Sequence, residues 1–197
     1  MKFSRISLVL SLFLVLFTAT VITALFTELT REPINQVAIR KQEKLIRSLI
    51  SEPYDNDLVS DKIMVTALGD LGTGDPVPIY RARKNGHPVG FVILPVAPNG
   101  YNGPIRLAVG LDAGGRILVV RVIEDRETPG FGDKIHRQKS DWINQFTGKS
   151  LTELTAGGAV DQISGASISS NAVIKAVTRV LEYYQREKEQ LWKKMEK

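Results

Sequence analysis

The sequence predicts an α+β protein: an N-terminal single transmembrane helix followed by a small antiparallel sheet with flanking helices. Three observations carry this expectation. Ile6 to Thr27 is apolar and uncharged. From Pro78 to Ile123, short β-rich runs are separated by Gly- and Asn-containing turns. From Ser170 onward the apolar period becomes helical.

As a helix, Ile6–Thr27 would be roughly 33 Å long, enough to cross a hydrocarbon core of about 30 Å. Lys2 and Arg5 precede it, while Glu28, Arg31 and Glu32 follow. The positive-inside bias places the N-terminus in the cytoplasm and the rest on the periplasmic face of a bacterial inner membrane. A cleaved signal peptide is the competing reading. The run is long for one and no A-x-A-like site follows, which favours an uncleaved anchor. The expected organisation is residues 1–28 as cytoplasmic N-terminus and anchor, 29–52 as a connecting helix and 53–197 as a periplasmic domain.

Pro33 suits the first turn of the connecting helix. Ile34, Val37, Ala38, Leu45 and Leu49 recur at near-helical spacing until Pro53. Residues 53–76 read mostly as loop. Pro78–Lys84 and Val89–Val96 read as strands joined around Asn85-Gly86, a hairpin signal. Ile105–Leu111 and Ile117–Ile123 follow the same pattern across Asp112-Ala113-Gly114-Gly115. Ser140 or Asp141 is placed to cap a short helix carrying Trp142 and Phe146. Thr155–Ser167 is small and Gly-rich. In the last helix Val173, Ala176, Val177, Val180, Leu181 and Tyr184 form one face, and Lys175, Arg179, Glu182 and Arg186 the other.

Composition excludes several chemistries. The chain has no cysteine, which removes thiolate catalysis, disulfides, Cys-ligated zinc and iron–sulfur clusters. Its formal charge is +5, but basic and acidic residues are interleaved and no basic stripe suits a nucleic acid. His87 and His136 read as surface residues without a metal-ligand pattern, so no metal is expected. The carboxylates Glu124, Asp125 and Glu127 could bind a cation, but a solvated turn is the favoured reading. Ser164 and Ser167 lack a His partner for a hydrolytic triad, and no catalytic residue is assigned.

Two segments remain. Asp161-Gln162-Ile163-Ser164-Gly165-Ala166-Ser167 feeds directly into the last helix. Gly165 permits a backbone conformation closed to other residues, Ala166 lets a ligand approach, and Ser169 or Ser170 can cap the helix. Free N–H groups and the helix dipole favour a phosphate there, with the Ser167 hydroxyl beside it. A plain capped helix start fits the same residues. The spaced glycines and the Lys of a P-loop are absent. The second segment, Glu127-Thr128-Pro129-Gly130-Phe131-Gly132, is a tight turn of a kind common between elements.

The pattern Asp161-x-x-Ser164-Gly165-Ala166-Ser167 resembles the flavinylation motif of FMN-binding domains in respiratory complexes. The resemblance implies that Ser167, in a position where the family usually has Thr, forms a phosphoester with FMN, installed by a flavin transferase. Glu127-Thr128-Pro129-Gly130-Phe131-Gly132-Asp133-Lys134 resembles the family's Glu-Thr-Pro-Gly-Leu-Gly-x-Lys segment, which lies against the isoalloxazine ring. Phe131 in place of Leu keeps an apolar surface there; the family's His shortly before the Glu is absent. The resemblance therefore implies a covalent FMN site. From the first segment it takes Ser167, Asp161, Ser164, Gly165, Ala166 and Ser169; from the turn it takes Glu127, Thr128, Pro129, Gly130, Phe131, Gly132 and Lys134.

Order and spacing of the motifs, with the anchor, are most similar to the G subunits of Rnf ion-translocating complexes. The C subunit of the sodium-pumping quinone reductase ranks second. The implied function is electron relay in a complex that links ferredoxin and NAD to ion movement, without independent turnover. The implied partners are the other Rnf subunits, including a second FMN-carrying membrane subunit. A non-redox anchored assembly or binding protein is the alternative from a different class.

Overall fold

The longest apolar run builds the longest element. In the computed structural model, which describes residues 5–67 and 69–193, α1 (Arg5–Arg47) is one continuous helix. Within it, Val9–Phe26 has no Asp, Glu, Lys or Arg, and every side chain is exposed. This exposed apolar surface fits a single-pass membrane anchor. Lys2 and the side chains of Ile34, Val37 and Ala38 lie outside the described residues.

The connecting helix expected from Pro33 is not a separate element. The backbone stays helical through Pro33 and ends at Arg47 rather than near 52. A mid-helix proline removes one hydrogen bond at a cost of about 3 kcal/mol, which the helical residues on both sides outweigh. Residues up to Lys44 form one unit and residues from Leu45 onward a second.

The second unit is built on an antiparallel sheet of six strands: β1 (Lys62–Val65), β2 (Val77–Lys84), β3 (His87–Ile93), β4 (Val96–Ala97), β5 (Ile105–Asp112) and β6 (Ile117–Glu124). Asn85 and Gly86 turn β2 into β3 with φ of 51° and 79°, the positive pair that a type I′ hairpin demands. The strand expected over Val89–Val96 is two pieces. Gly90–Ile93 pairs with Val109–Asp112, and Val96–Ala97 pairs with Ile105–Arg106 on the same edge of β5. Pro95 lies in the break; it has no N–H to give, but its carbonyl accepts from Leu107 N–H at 3.0 Å. Strand β1 lies within the region expected to be loop, as an edge strand on β2.

Strand alternation divides the sheet into two buried faces. On one, Ile79, Phe91, Ile93, Leu107, Val109 and Leu111 meet α3 (Ser167–Lys193). The expected apolar face of α3 is buried here, and Phe91 packs against Tyr184 with ring centroids 5.2 Å apart. On the other face, Tyr80, Ala82, Val92 and Ala108 pack under Ile46, Leu49, Ile50 and Leu58. Small residues let that cover approach: a Cβ on Gly110 would lie 2.2 Å from the Leu49 carbonyl oxygen. Burying each Leu, Ile or Val contributes about 1.5–3 kcal/mol.

Between β6 and α3 the chain forms a 3₁₀ turn at Gly132–Ile135, a second at Trp142–Phe146, and α2 (Leu151–Thr155). Asp141 stands at the N-cap of the second turn and neither it nor Ser140 makes a side-chain cap bond there; Ser140 Oγ accepts from Trp142 N–H at 3.1 Å just ahead of the turn. Helix α2 was not expected; Ser150 and Glu153 form a reciprocal capping box at its start.

One buried ion cluster ties β2 to the segment before β1. Arg81 Nε donates to Asp61 Oδ1 at 2.7 Å and Arg83 Nε donates to Asp61 Oδ2 at 2.8 Å. The two arginine side chains are only 7% and 8% exposed, and the buried Arg81 Nη1 and Arg83 Nη2 have no hydrogen-bond partner among the described residues. Removing the shared carboxylate leaves two buried cations unneutralised, which typically costs about 3–5 kcal/mol. Asp61→Ala is expected to lose that much in urea unfolding of the detergent-solubilised chain; a loss below about 1 kcal/mol would contradict this role.

Candidate functional site

The site is assembled where two rigid elements end. Strand β6 stops at Glu124 and delivers the Glu127–Gly132 turn; α3 starts at Ser167. The turn closes on one carbonyl: Thr128 O accepts from Phe131 N–H at 3.1 Å and from Gly132 N–H at 3.0 Å. Gly130 has φ 81° and its N–H donates to Asp133 Oδ1 at 2.8 Å. Asn102 Nδ2 donates to Thr128 Oγ1 at 3.0 Å, which fastens the Gly100–Gly103 loop to the turn.

Helix α3 begins three residues earlier than expected, at Ser167 rather than Ser170. Ala166 N–H donates to Ile163 O at 2.9 Å in a tight turn that needs Gly165 at φ 78°. The first rung is Ser170 N–H to Ala166 O at 3.0 Å. The N–H groups of Ser167, Ile168 and Ser169 therefore precede the ladder, in the place where a helix receives an anion. The loop before it is held by its backbone: Trp142 Nε1 donates to Asp161 O at 2.5 Å, and Asp161 N–H donates to Gln145 Oε1 at 3.1 Å.

Neither Ser169 nor Ser170 caps the helix. Both are buried. Ser170 Oγ donates to Ala166 O at 3.0 Å and accepts from Ile163 N–H at 3.3 Å. Ser169 Oγ donates to Glu127 Oε2, across 42 positions of sequence. Glu127, expected in a solvated turn, is 6% exposed and also accepts from Asn102 N–H at 3.2 Å. The reason is packing: the turn folds back under α3, and desolvation of the carboxylate is offset by these two donors. His136, expected on the surface, is half-buried and pairs with Asp125 through Nε2. Among the described residues no group of acids and histidines could hold a metal.

The two sequence-distant segments line a single cavity of about 320 Å³. From the turn come Glu127, Thr128, Phe131 and Gly132; from the helix start come Gly165, Ala166, Ser167 and Ser169. Asp161, Ser164, Pro129, Gly130 and Lys134 lie outside its lining. Two lining residues escaped sequence reasoning: Tyr101 and Ile168, which with Phe131 are 64%, 52% and 60% exposed. An aromatic between Gly100 and Gly103 was the available signal for Tyr101. The cavity falls in the range of about 300–1,000 Å³ usual for small-molecule sites. It combines an anion-accepting helix start with exposed apolar side chains, the pair of surfaces that a phosphorylated aromatic cofactor requires.

Fold and site together define an FMN-binding domain, and that domain family matches residues 100–182, which contain both segments. The G subunit of the ion-translocating oxidoreductase complex of Photorhabdus laumondii is 41% identical over 84% of this chain and 83% of the relative. The corresponding protein of Yersinia pestis is 41% identical over 85% and 84%, and that of Shewanella baltica 35% identical over 91% of each. The chain belongs to this family, the G subunits of ion-translocating oxidoreductase complexes. A crystal structure of Shewanella oneidensis NqrC is similar at 22% identity with a TM-score of 0.49, covering 70% of this chain and 74% of that one.

Gly132 tests the link between the segments. A Cβ there would lie 2.7 Å from Glu127 Oε2 and 3.1 Å from Ser169 Oγ. Gly132→Ala is expected to force them apart and cost about 1–3 kcal/mol by overpacking; thermal melting indistinguishable from the parent would contradict this close approach.

Proposed function

We propose that this chain is the membrane-anchored flavoprotein subunit of an ion-translocating oxidoreductase complex, relaying electrons through FMN esterified to Ser167. The observation that supports this reading best is the single cavity shared by the Glu127–Gly132 turn and the Gly165–Ser167 helix start. The FMN-binding domain match covers both segments. The relatives spanning most of the chain are G subunits, which favours this assembly over a quinone-reductase C subunit.

FMN, when bound, supplies the reversible redox chemistry. The protein's residues attach and orient it. Ser167 would provide the nucleophilic oxygen: with a flavin transferase as catalyst it would attack the flavin-side phosphorus of a flavin dinucleotide, its proton passing to a base as the Ser167 oxygen–phosphorus bond forms, while the phosphoanhydride bond breaks and the nucleoside monophosphate departs with that bond's electron pair. The N–H groups of the first turn and the helix dipole hold the phosphate, the dipole contributing about 0.3–1 kcal/mol. Phe131, Tyr101 and Ile168 offer the apolar surfaces for the ring, and Thr128 a polar edge. An ester at the phosphate prevents loss of the cofactor and leaves the ring unsubstituted.

In this reading α1 crosses the bacterial inner membrane once, with the N-terminus cytoplasmic and the FMN domain periplasmic. The partners are the other subunits of the complex, including a second FMN-carrying membrane subunit.

Co-expressed with a flavin transferase, the chain is expected to give a flavin-fluorescent band on a denaturing gel, absent in Ser167→Ala. A non-fluorescent wild-type band of unmodified mass sinks the ester. Thr128→Ala removes the Asn102 bond at the turn and is expected to keep the attached flavin but shift its absorption spectrum or midpoint potential. Loss of attachment in that variant would mean the turn serves modification instead.

A further inference from the structure

A second concave surface adjoins the cavity. Pro98 and Asn99, which follow β4, face Ile168, Asn171, Lys175 and Arg179 of α3 across a groove of about 270 Å³. Ile168 lines both the groove and the cavity. Lys175 and Arg179 are four residues apart, on one row of the helix. Among the described residues neither has a hydrogen-bonding or ion-pair partner. Glu182, further along the same side, forms no ion pair with Arg179. The contrast is Arg186 on the same helix, held by Asp70 at 2.6 Å and by Glu187 at 3.0 Å. The Asn171 side-chain carbonyl accepts from Gln162 Nε2 at 3.1 Å, and its amide N–H groups add donors beside the two cations. The α3 wall of the groove thus sets two cations and an amide among apolar Ile168, Ala172 and Ala176, with no acid among its lining residues.

The geometry points to this groove as the docking site for a carboxylate-bearing loop of the subunit that exchanges electrons with this chain. The inference rests on the electron-relay reading above. Its basis is charge complementarity at the right place. Electrons must cross at the exposed rim of the cavity, and Ile168 is where that rim meets the groove. Lys175 and Arg179 lie about 12–18 Å along the helix from Ser167, beyond a phosphate held at the first turn. Rim charges of this kind steer and orient a partner, and their effect weakens as salt screens them.

The test uses the full chain, flavinylated and assembled with the other subunits of the complex. In K175E/R179E the flavin remains attached by gel fluorescence and thermal melting matches the wild type. Reduction of that flavin by the rest of the complex slows at least tenfold, with K175Q/R179Q intermediate. Raising salt slows the wild type but not the charge-reversed variant. A charge-reversed variant whose flavin is reduced at the wild-type rate overturns the docking site. So does loss of the attached flavin in that variant, which assigns the groove to cofactor or transferase. A wild-type flavin that the complex never reduces overturns the relay reading itself, and the docking site with it.

Discussion

The hydrogen bond between Ser169 and Glu127 is the constraint on which the site depends. It joins the first turn of α3 to the turn after β6, and both partners are buried. A carboxylate in that position cannot be left unpaired, because burial of an unsatisfied charge costs several kcal/mol. The bond therefore fixes the distance between two segments that no regular element connects. Glycines make room for it: a Cβ on Gly100 would lie 2.8 Å from Glu127 Oε1, as one on Gly132 would crowd Oε2. The cavity is the space left beside this clamp, and its two walls cannot move independently.

Much of the frame was legible in the sequence because it follows from local rules. Asn85-Gly86 specifies its hairpin through two positive φ values, and the apolar stripe of α3 fixes which side is buried. Short elements were not legible in the same way. Strand β1 spans only Lys62–Val65, half exposed, and exists because β2 offers it a partner. Helix α2 carried a local signal, the Ser150–Glu153 capping box, but too few residues to show a period. Spacing and composition alone made the site legible as two motifs; only the family resemblance implied that they form one place. Burial of Glu127, the inward turn of Ser169 and the half-buried His136–Asp125 pair are tertiary outcomes. Nothing in a turn sequence states that its carboxylate will meet a hydroxyl from a helix 42 positions away.

The same clamp explains why the helix starts where it does. Ser169 and Ser170 have the right chemistry for an N-cap, but their hydroxyls are committed elsewhere, one to Glu127 and one to the preceding turn. The helix accordingly extends back to Ser167, and the turn closed by Ala166 and Ile163 takes over as its boundary. This displaces the free N–H groups toward the cavity. The helix start proposed to accept the phosphate and the hydroxyl proposed as nucleophile thereby fall on the same residue.

A phosphate ester would secure only one end of a cofactor. In the proposed reading the position of the ring is left to the cavity walls, and those walls differ in kind. The Glu127–Ser169 side is buried and hydrogen-bonded; the Tyr101, Phe131 and Ile168 side is more than half exposed. A ring resting between them would be fixed along one edge and open along the other. That asymmetry suits relay rather than substrate chemistry. A relay needs no enclosed pocket around a second reactant, only a cofactor that cannot leave and an edge that the next carrier can approach. Attachment through the phosphate would make this arrangement possible, since retention would no longer depend on enclosing the ring.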